Sequence, residues 1–100
     1  MKYLRRPNPR GRRSSNWVVL MTRGVQELVI EGRCAPRALL QRHVIGDWGD
    51  LDEEDRLAND ASIEDGRRLM SAYRIDAALT VWVITEAGRE VTTVLLPSEY

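Results

Sequence analysis

In three stretches near the C-terminus the residues read with a period of two. Leu69, Ser71, Tyr73 and Ile75 alternate with Arg68, Met70, Ala72 and Arg74. Leu79, Val81 and Val83 alternate with Thr80, Trp82 and Ile84, and Val91, Thr93 and Leu95 with Thr92, Val94 and Leu96. Side chains on a strand point to opposite faces in turn, so each stretch predicts a strand with one face turned inward. The breaks at Asp76-Ala77 and Ala87-Gly88 are short enough to join neighbouring strands directly, which predicts an antiparallel meander. Far upstream, Asn16 to Met21 is rich in Val and Trp and predicts one more strand.

Between these regions the period lengthens. Thr22 suits the N-cap of a short helix with Val25, Leu28 and Val29 on one face and Gly32 beyond its end. Pro36 suits the first turn of a second helix, with Leu39, Leu40 and Val44 inward and Gly46 as its stop. In a third helix, Asp50 is placed to cap and Glu53 to reach back as its reciprocal partner. Leu51, Leu57, Ala58 and Ala61 give that helix a narrow apolar stripe, and Gly66 ends it. Asn59 and Asp60 are poor helix formers, so tertiary contacts or a bend are expected there. The expected fold is α+β in two layers: an antiparallel sheet, made of the C-terminal three-strand meander plus the N-terminal strand, with three short helices packed on one face.

Charge divides the chain. The formal net charge is zero, but Lys2, Arg5, Arg6, Arg10, Arg12 and Arg13 stand without an acid among the first thirteen residues. From His43 to Gly66 nine acids face Arg56 alone. Residues 1–14, interrupted by Pro7, Pro9 and Gly11, read as a basic disordered arm ahead of a single domain over 15–100. Cys34 is the one cysteine, so no disulfide forms within the chain and a reducing cytoplasm is the expected home. No apolar run reaches the length of a membrane span.

The candidate chemistry is sparse. No Gly-rich loop follows a strand in the manner of a nucleotide site, so no cofactor is expected. His43, Asp47 and Asp50 offer one nitrogen and two carboxylates within eight residues, but a fourth ligand is wanting and no metal is expected. The dense acids Asp50 to Asp55 suit the positive end of a helix dipole, and they also suit a partner-binding surface. Trp48, between Gly46 and Gly49, is either core or an anchor at an interface. Asp47, Trp48, Asp50, Glu53 and Glu54 are therefore the candidate residues for binding a protein. A second reading takes His43, Tyr73, Arg89 and Thr92, with Trp82 and Thr85 nearby, as the site of a small metal-independent ribonuclease. In such enzymes Arg stabilises the phosphate and His or Glu exchanges the proton. In a third reading Arg5, Arg6, Arg10, Arg12 and Arg13 bind nucleic acid by releasing counterions.

Arg42-His43, Gly46-Asp47-Trp48-Gly49-Asp50-Leu51, Glu54-Asp55 and Asn59 form a string that continues through Arg68-Leu69, Ser71-Ala72-Tyr73 and Trp82-Val83-Ile84-Thr85-Glu86. It ends in Arg89, Thr92-Thr93 and Leu95-Leu96-Pro97-Ser98-Glu99-Tyr100. Over Val18 to Tyr100 this string resembles a family of small uncharacterised bacterial proteins often carried on plasmids, phages and integrating elements. Gly88 and Glu90 depart from its pattern, where Asp and Ser are commoner. A role in type I restriction, sometimes attached to similar sequences, does not suit a chain of this size. A methyltransferase subunit needs a nucleotide-binding fold several times larger. The resemblance implies an accessory role on a mobile element. The expected function is a non-enzymatic protein that binds a protein partner, with a RelE- or barnase-like RNA-cleaving toxin as the alternative.

Overall fold

The computed structural model describes residues 18–100. The expected arm over 1–14, with Arg5, Arg6, Arg10, Arg12 and Arg13, lies outside the described residues, as do Asn16 and Trp17 of the first predicted strand. The elements run β1 (Val18–Met21), α1 (Arg23–Ile30), α2 (Pro36–Val44), α3 (Glu53–Asp65), β2 (Leu69–Asp76), β3 (Leu79–Thr85) and β4 (Val91–Leu95), with a 3-10 turn at Pro97–Glu99. This is the α+β fold that the change of period predicts.

The sheet order is β1-β4-β3-β2. β2, β3 and β4 form the antiparallel meander, with Ser71 opposite Val83 and Val83 opposite Val94. β1, however, joins parallel to β4, from Val18↔Val91 to Met21↔Val94. The antiparallel sheet expected from the sequence therefore has one parallel pair. Strand pattern alone cannot choose the direction, because parallel and antiparallel strands share the same alternation.

One face of the sheet carries Tyr73, Val81, Val83 and Val94, and α1 and α2 cover it with Val25, Leu28 and Leu39, beside the buried Cys34. Thr22 caps α1 by accepting from the Val25 N–H, and Pro36 opens α2, as their sequences require. On the other face the C-terminal Tyr100 meets Trp82 edge to face, with ring centroids 5.6 Å apart. The Arg68 guanidinium lies over the Tyr100 ring and donates to its hydroxyl at 2.7 Å.

α3 departs most from expectation. Its cap is Asp52, which accepts from the Asp55 N–H at 2.9 Å, so Asp50 and Glu53 form no capping box. Its predicted stripe is largely outside: Leu57, Ala58 and Ala61 are exposed, while Asn59 and Ser62 are buried. α3 runs along the margin of β2, where Ile63 joins Trp48 and Leu69 in a second small core. Gly66 then ends it in the left-handed conformation, φ 77°. Among the described residues no helix is long and apolar enough to cross a membrane.

Candidate functional site

The segment between α2 and α3 is an edge strand in miniature. β2 is the last strand of the sheet, so the N–H and C=O groups of Met70, Ala72 and Arg74 point away from β3 and need partners. Each of these residues finds one. Gly49 pairs with Ala72 in a parallel bridge: the Ala72 N–H donates to the Trp48 carbonyl at 3.1 Å, and the Asp50 N–H donates to the Ala72 carbonyl at 2.6 Å. The Asp50 carboxylate accepts from the Arg74 N–H at 2.8 Å. The Asn59 side chain serves Met70 as a strand would, donating to its carbonyl at 2.6 Å and accepting from its N–H at 3.1 Å.

Both glycines of the loop have positive φ, but for different reasons. Gly46, at φ 85°, faces open space, so the backbone turn alone asks for glycine. At Gly49, φ 78°, an added Cβ would collide with the Ala72 carbonyl and the Tyr73 ring. The loop is pressed flat against β2, and no side chain fits between them.

Trp48 is 3% exposed and donates its indole N–H to Asp60 at 3.0 Å. It is core, and so cannot be the exposed anchor of a partner surface. The reason is topological: the bridge to Ala72 holds Trp48 beside Leu69, under Val44, Leu51 and Ile63. Asp47 is held by Arg42, with Nε–Oδ2 2.7 Å and Nη2–Oδ1 3.3 Å, and it also accepts from the Gly49 N–H. The Arg42 hydrogen bond lowers the Asp47 pKa. The same Arg42 guanidinium lies 4.5 Å over the Tyr73 ring, whose hydroxyl donates to the Asp47 carbonyl at 2.7 Å. Burial pushes the Tyr73 pKa up to about 12. Arg56 closes the loop from α3, donating to the carbonyls of Leu51 and Gly49. Of the residues read as partner-binding, Glu53 and Glu54 stand exposed on the first turn of α3, and Asp50 is exposed but tied to Arg74.

The residues of the ribonuclease reading are largely interior. His43, Tyr73, Thr85 and Thr92 are each 0% exposed. His43 Nδ1 lies 2.6 Å from Ser71 Oγ and its Nε2 3.0 Å from Thr85 Oγ1, which in turn lies 2.8 Å from Thr92 Oγ1. Burial, followed by the nearby positive Arg89, lowers the His43 pKa to about 4. The imidazole is thus a neutral linker between α2 and the sheet. Arg89 takes the positive φ of the hairpin, 62°, in place of Gly88. Its guanidinium donates to the carbonyls of Arg67 at 2.7 Å and Ser62 at 2.8 Å, clamping the hairpin to the end of α3. Trp82 lies on the opposite face of the sheet from Tyr73, Thr85 and Thr92, because its number has the other parity from that of its neighbour Val83. The hydroxyl-lined, basic open face that reading needs does not form. His43, Asp47 and Asp50 likewise do not converge, and among the described residues no group of three His, Cys, Asp or Glu side chains could hold a metal ion.

Among the described residues the free edge is at β1. Val18, Val19, Leu20 and Met21 are 45, 40, 49 and 39% exposed, with no charge, proline or bulge among them. The Val18 and Thr22 N–H groups donate to the carbonyls of Glu90 and Val94. By alternation Val19 and Met21 turn theirs outward. The Met21 carbonyl accepts from the Gln26 side chain at 3.1 Å. Beside β1 runs a groove of about 250 Å³ lined by Val19, Leu40 and Val44, with Arg37 and Gln41 at its polar margin. The sequence signal for this edge was the unbroken apolar run ending at Met21, which reads equally well as a buried strand.

No protein-family model, curated protein or solved structure matches the chain.

Proposed function

We propose that this chain is a non-enzymatic interaction protein that binds a protein partner along the outer edge of β1. The observation that carries the reading is the contrast between the two edges of one sheet. Trp48, Asp50 and Asn59 take up the outward groups of Met70 and Ala72 and the Arg74 N–H on the β2 edge, whereas β1 presents an apolar, uncharged strand with outward backbone groups. Proteins ordinarily blunt such an edge with charge, proline or a bulge, and an edge left without them takes an added strand. The polar side chains that a catalytic reading would use are engaged in internal hydrogen bonds. An accessory role in the cytoplasm of a bacterium carrying the mobile element is the setting that the sequence resemblance suggests.

A photo-crosslinking residue at Val19, introduced in the native host, tests the reading. A control at Leu57 is exposed on α3 at the opposite side of the sheet. Adducts to a protein, whether another protein or this chain itself, are expected from position 19 and not from 57. No adduct at 19 above the control would sink the proposal.

A further inference from the structure

We infer that the strand received at the β1 edge belongs to a second copy of this chain, paired antiparallel about a two-fold axis. This rests on the reading of β1 as the docking edge and names its occupant.

The geometry is self-complementary. Val19 turns both its N–H and its C=O to the free edge, and the only side chain hydrogen-bonded to a β1 carbonyl there, among the described residues, is Gln26 at Met21. When two copies of β1 run antiparallel with Val19 opposite Val19, each Val19 N–H donates to the other Val19 carbonyl, so both outward groups of Val19 are paired. A two-fold axis normal to the sheet keeps the faces matched. Val18 then lies opposite Leu20 of the second copy on the face away from the helices, burying side chains now 45 and 49% exposed. Val19 meets its counterpart on the helix face, beside the groove of Leu40 and Val44, so the two grooves join across the axis. β1 carries no charge to repel its own copy.

Charge favours the same occupant. The chain is neutral overall, yet residues 18–100 hold nine arginines against fifteen acids, and the preceding residues hold six positive charges and none negative. The basic segment leads directly into β1. In sequence the excess of positive charge lies ahead of β1 and the excess of acids after it, so two copies are complementary in charge. A second copy therefore brings both signs of charge in equal number to this edge. Because the whole chain has no net charge, no long-range repulsion opposes self-association.

The test is mass by light scattering, with hydrogen exchange of the full chain, from low micromolar to submillimolar concentration. The expected result is a species of twice the 11.5 kDa chain mass that grows with concentration. The Val19 amide should gain protection in step with it. Val19→Pro removes an outward N–H while leaving the Val18 and Thr22 donors to β4, so it should weaken the dimer by roughly tenfold or more. Val19→Lys, which keeps the strand backbone, should weaken it as well. In a Cys34→Ala background, Val19→Cys should form an intermolecular disulfide, since hydrogen-bonded antiparallel partners have Cα atoms about 5.5 Å apart. A monomer at all concentrations with an unprotected Val19 amide overturns the inference. So does a monomer whose Val19 amide is protected at every concentration, because the chain's own N-terminal segment would then cover the edge. A dimer unaffected by Val19→Lys overturns it too. If the chain stays monomeric while position 19 crosslinks to a different protein, the docking edge stands and the second copy alone fails.

Discussion

Acidification from about pH 7 to about 4.5 should weaken the fold by about 2.5 kcal/mol through His43 alone. The side chain is buried between α2 and the sheet, both ring nitrogens face hydroxyls, and its pKa falls to about 4 from an ordinary 6.5. The folded pKa is depressed, so the folded state holds the imidazole neutral while the unfolded chain binds a proton below pH 6.5. Stability is therefore full above 6.5 and falls as the pH drops toward 4, at up to about 1.4 kcal/mol per pH unit. Asp47 and Glu99, whose carboxyl pKa values are lowered chiefly by hydrogen bonds from Arg42 and Thr22, release their own stabilisation at still lower pH. The interval between 6.5 and 4.5 accordingly belongs to the histidine. Urea unfolding followed by tryptophan fluorescence at intervals through that range gives the slope. Since His43 is the only histidine, its proton resonances in the folded protein give the pKa without ambiguity. His43→Gln, a neutral hydrogen-bonding replacement, should lose stability overall but flatten the slope. A wild-type stability that is level between pH 7 and 5, or a folded-state pKa near 6.5, would refute the reasoning.

Gly49→Ala should destabilise far more than Gly46→Ala. Both require a left-handed backbone, costing about 1–2 kcal/mol, but only Gly49 adds a collision with the Ala72 carbonyl and Tyr73 ring, and thermal melts of the two variants compare them directly. Asn59→Asp, nearly isosteric, sets a carboxylate against the Met70 carbonyl in place of a donor. A loss of about 1–3 kcal/mol is expected in urea titrations, and faster exchange of the Met70 amide should accompany it. Trp48→Phe keeps a ring but forfeits the bond to Asp60, at about 1 kcal/mol, whereas Trp48→Ala should lose about 3–5 kcal/mol; equal losses would show that the indole N–H and the buried ring had been weighed wrongly. Arg89→Ala should loosen the β3–β4 hairpin from α3, seen as faster amide exchange at Arg67 and Gly66, with β2 unaffected.

Local pattern made most elements legible. Period two located β2, β3 and β4, and Thr22, Pro36 and Gly66 stand at the ends their chemistry suits. The candidate site was legible as an anomaly. Two glycines, a tryptophan and two aspartates exceed what a helix-to-helix turn requires, and the excess has a reason: the loop serves β2 as a neighbouring strand. Its meaning was not legible, because the partner, Ala72, lies more than twenty residues away. Asn59 is the plainest case. Within its helix it is a poor choice, and only the unpaired edge of β2 makes its two-sided amide the right side chain.

The sequence by itself determined the succession of helices and strands, the inward parity of β2 and β3 and the ends of α1 and α2. Those follow from backbone preferences and side-chain periods that act within a few residues. They did not determine the parity of β4, where Thr92 and Val94 rather than Val91 and Thr93 face the helices. Tertiary structure decided which way β1 runs, that Trp48 and His43 are enclosed, that α3 turns Asn59 and Ser62 inward rather than Leu57, and which edge of the sheet is left open among the described residues. Each of these depends on where an unpaired backbone group or an apolar face meets another segment. Such meetings are fixed by packing in space rather than by neighbours along the chain.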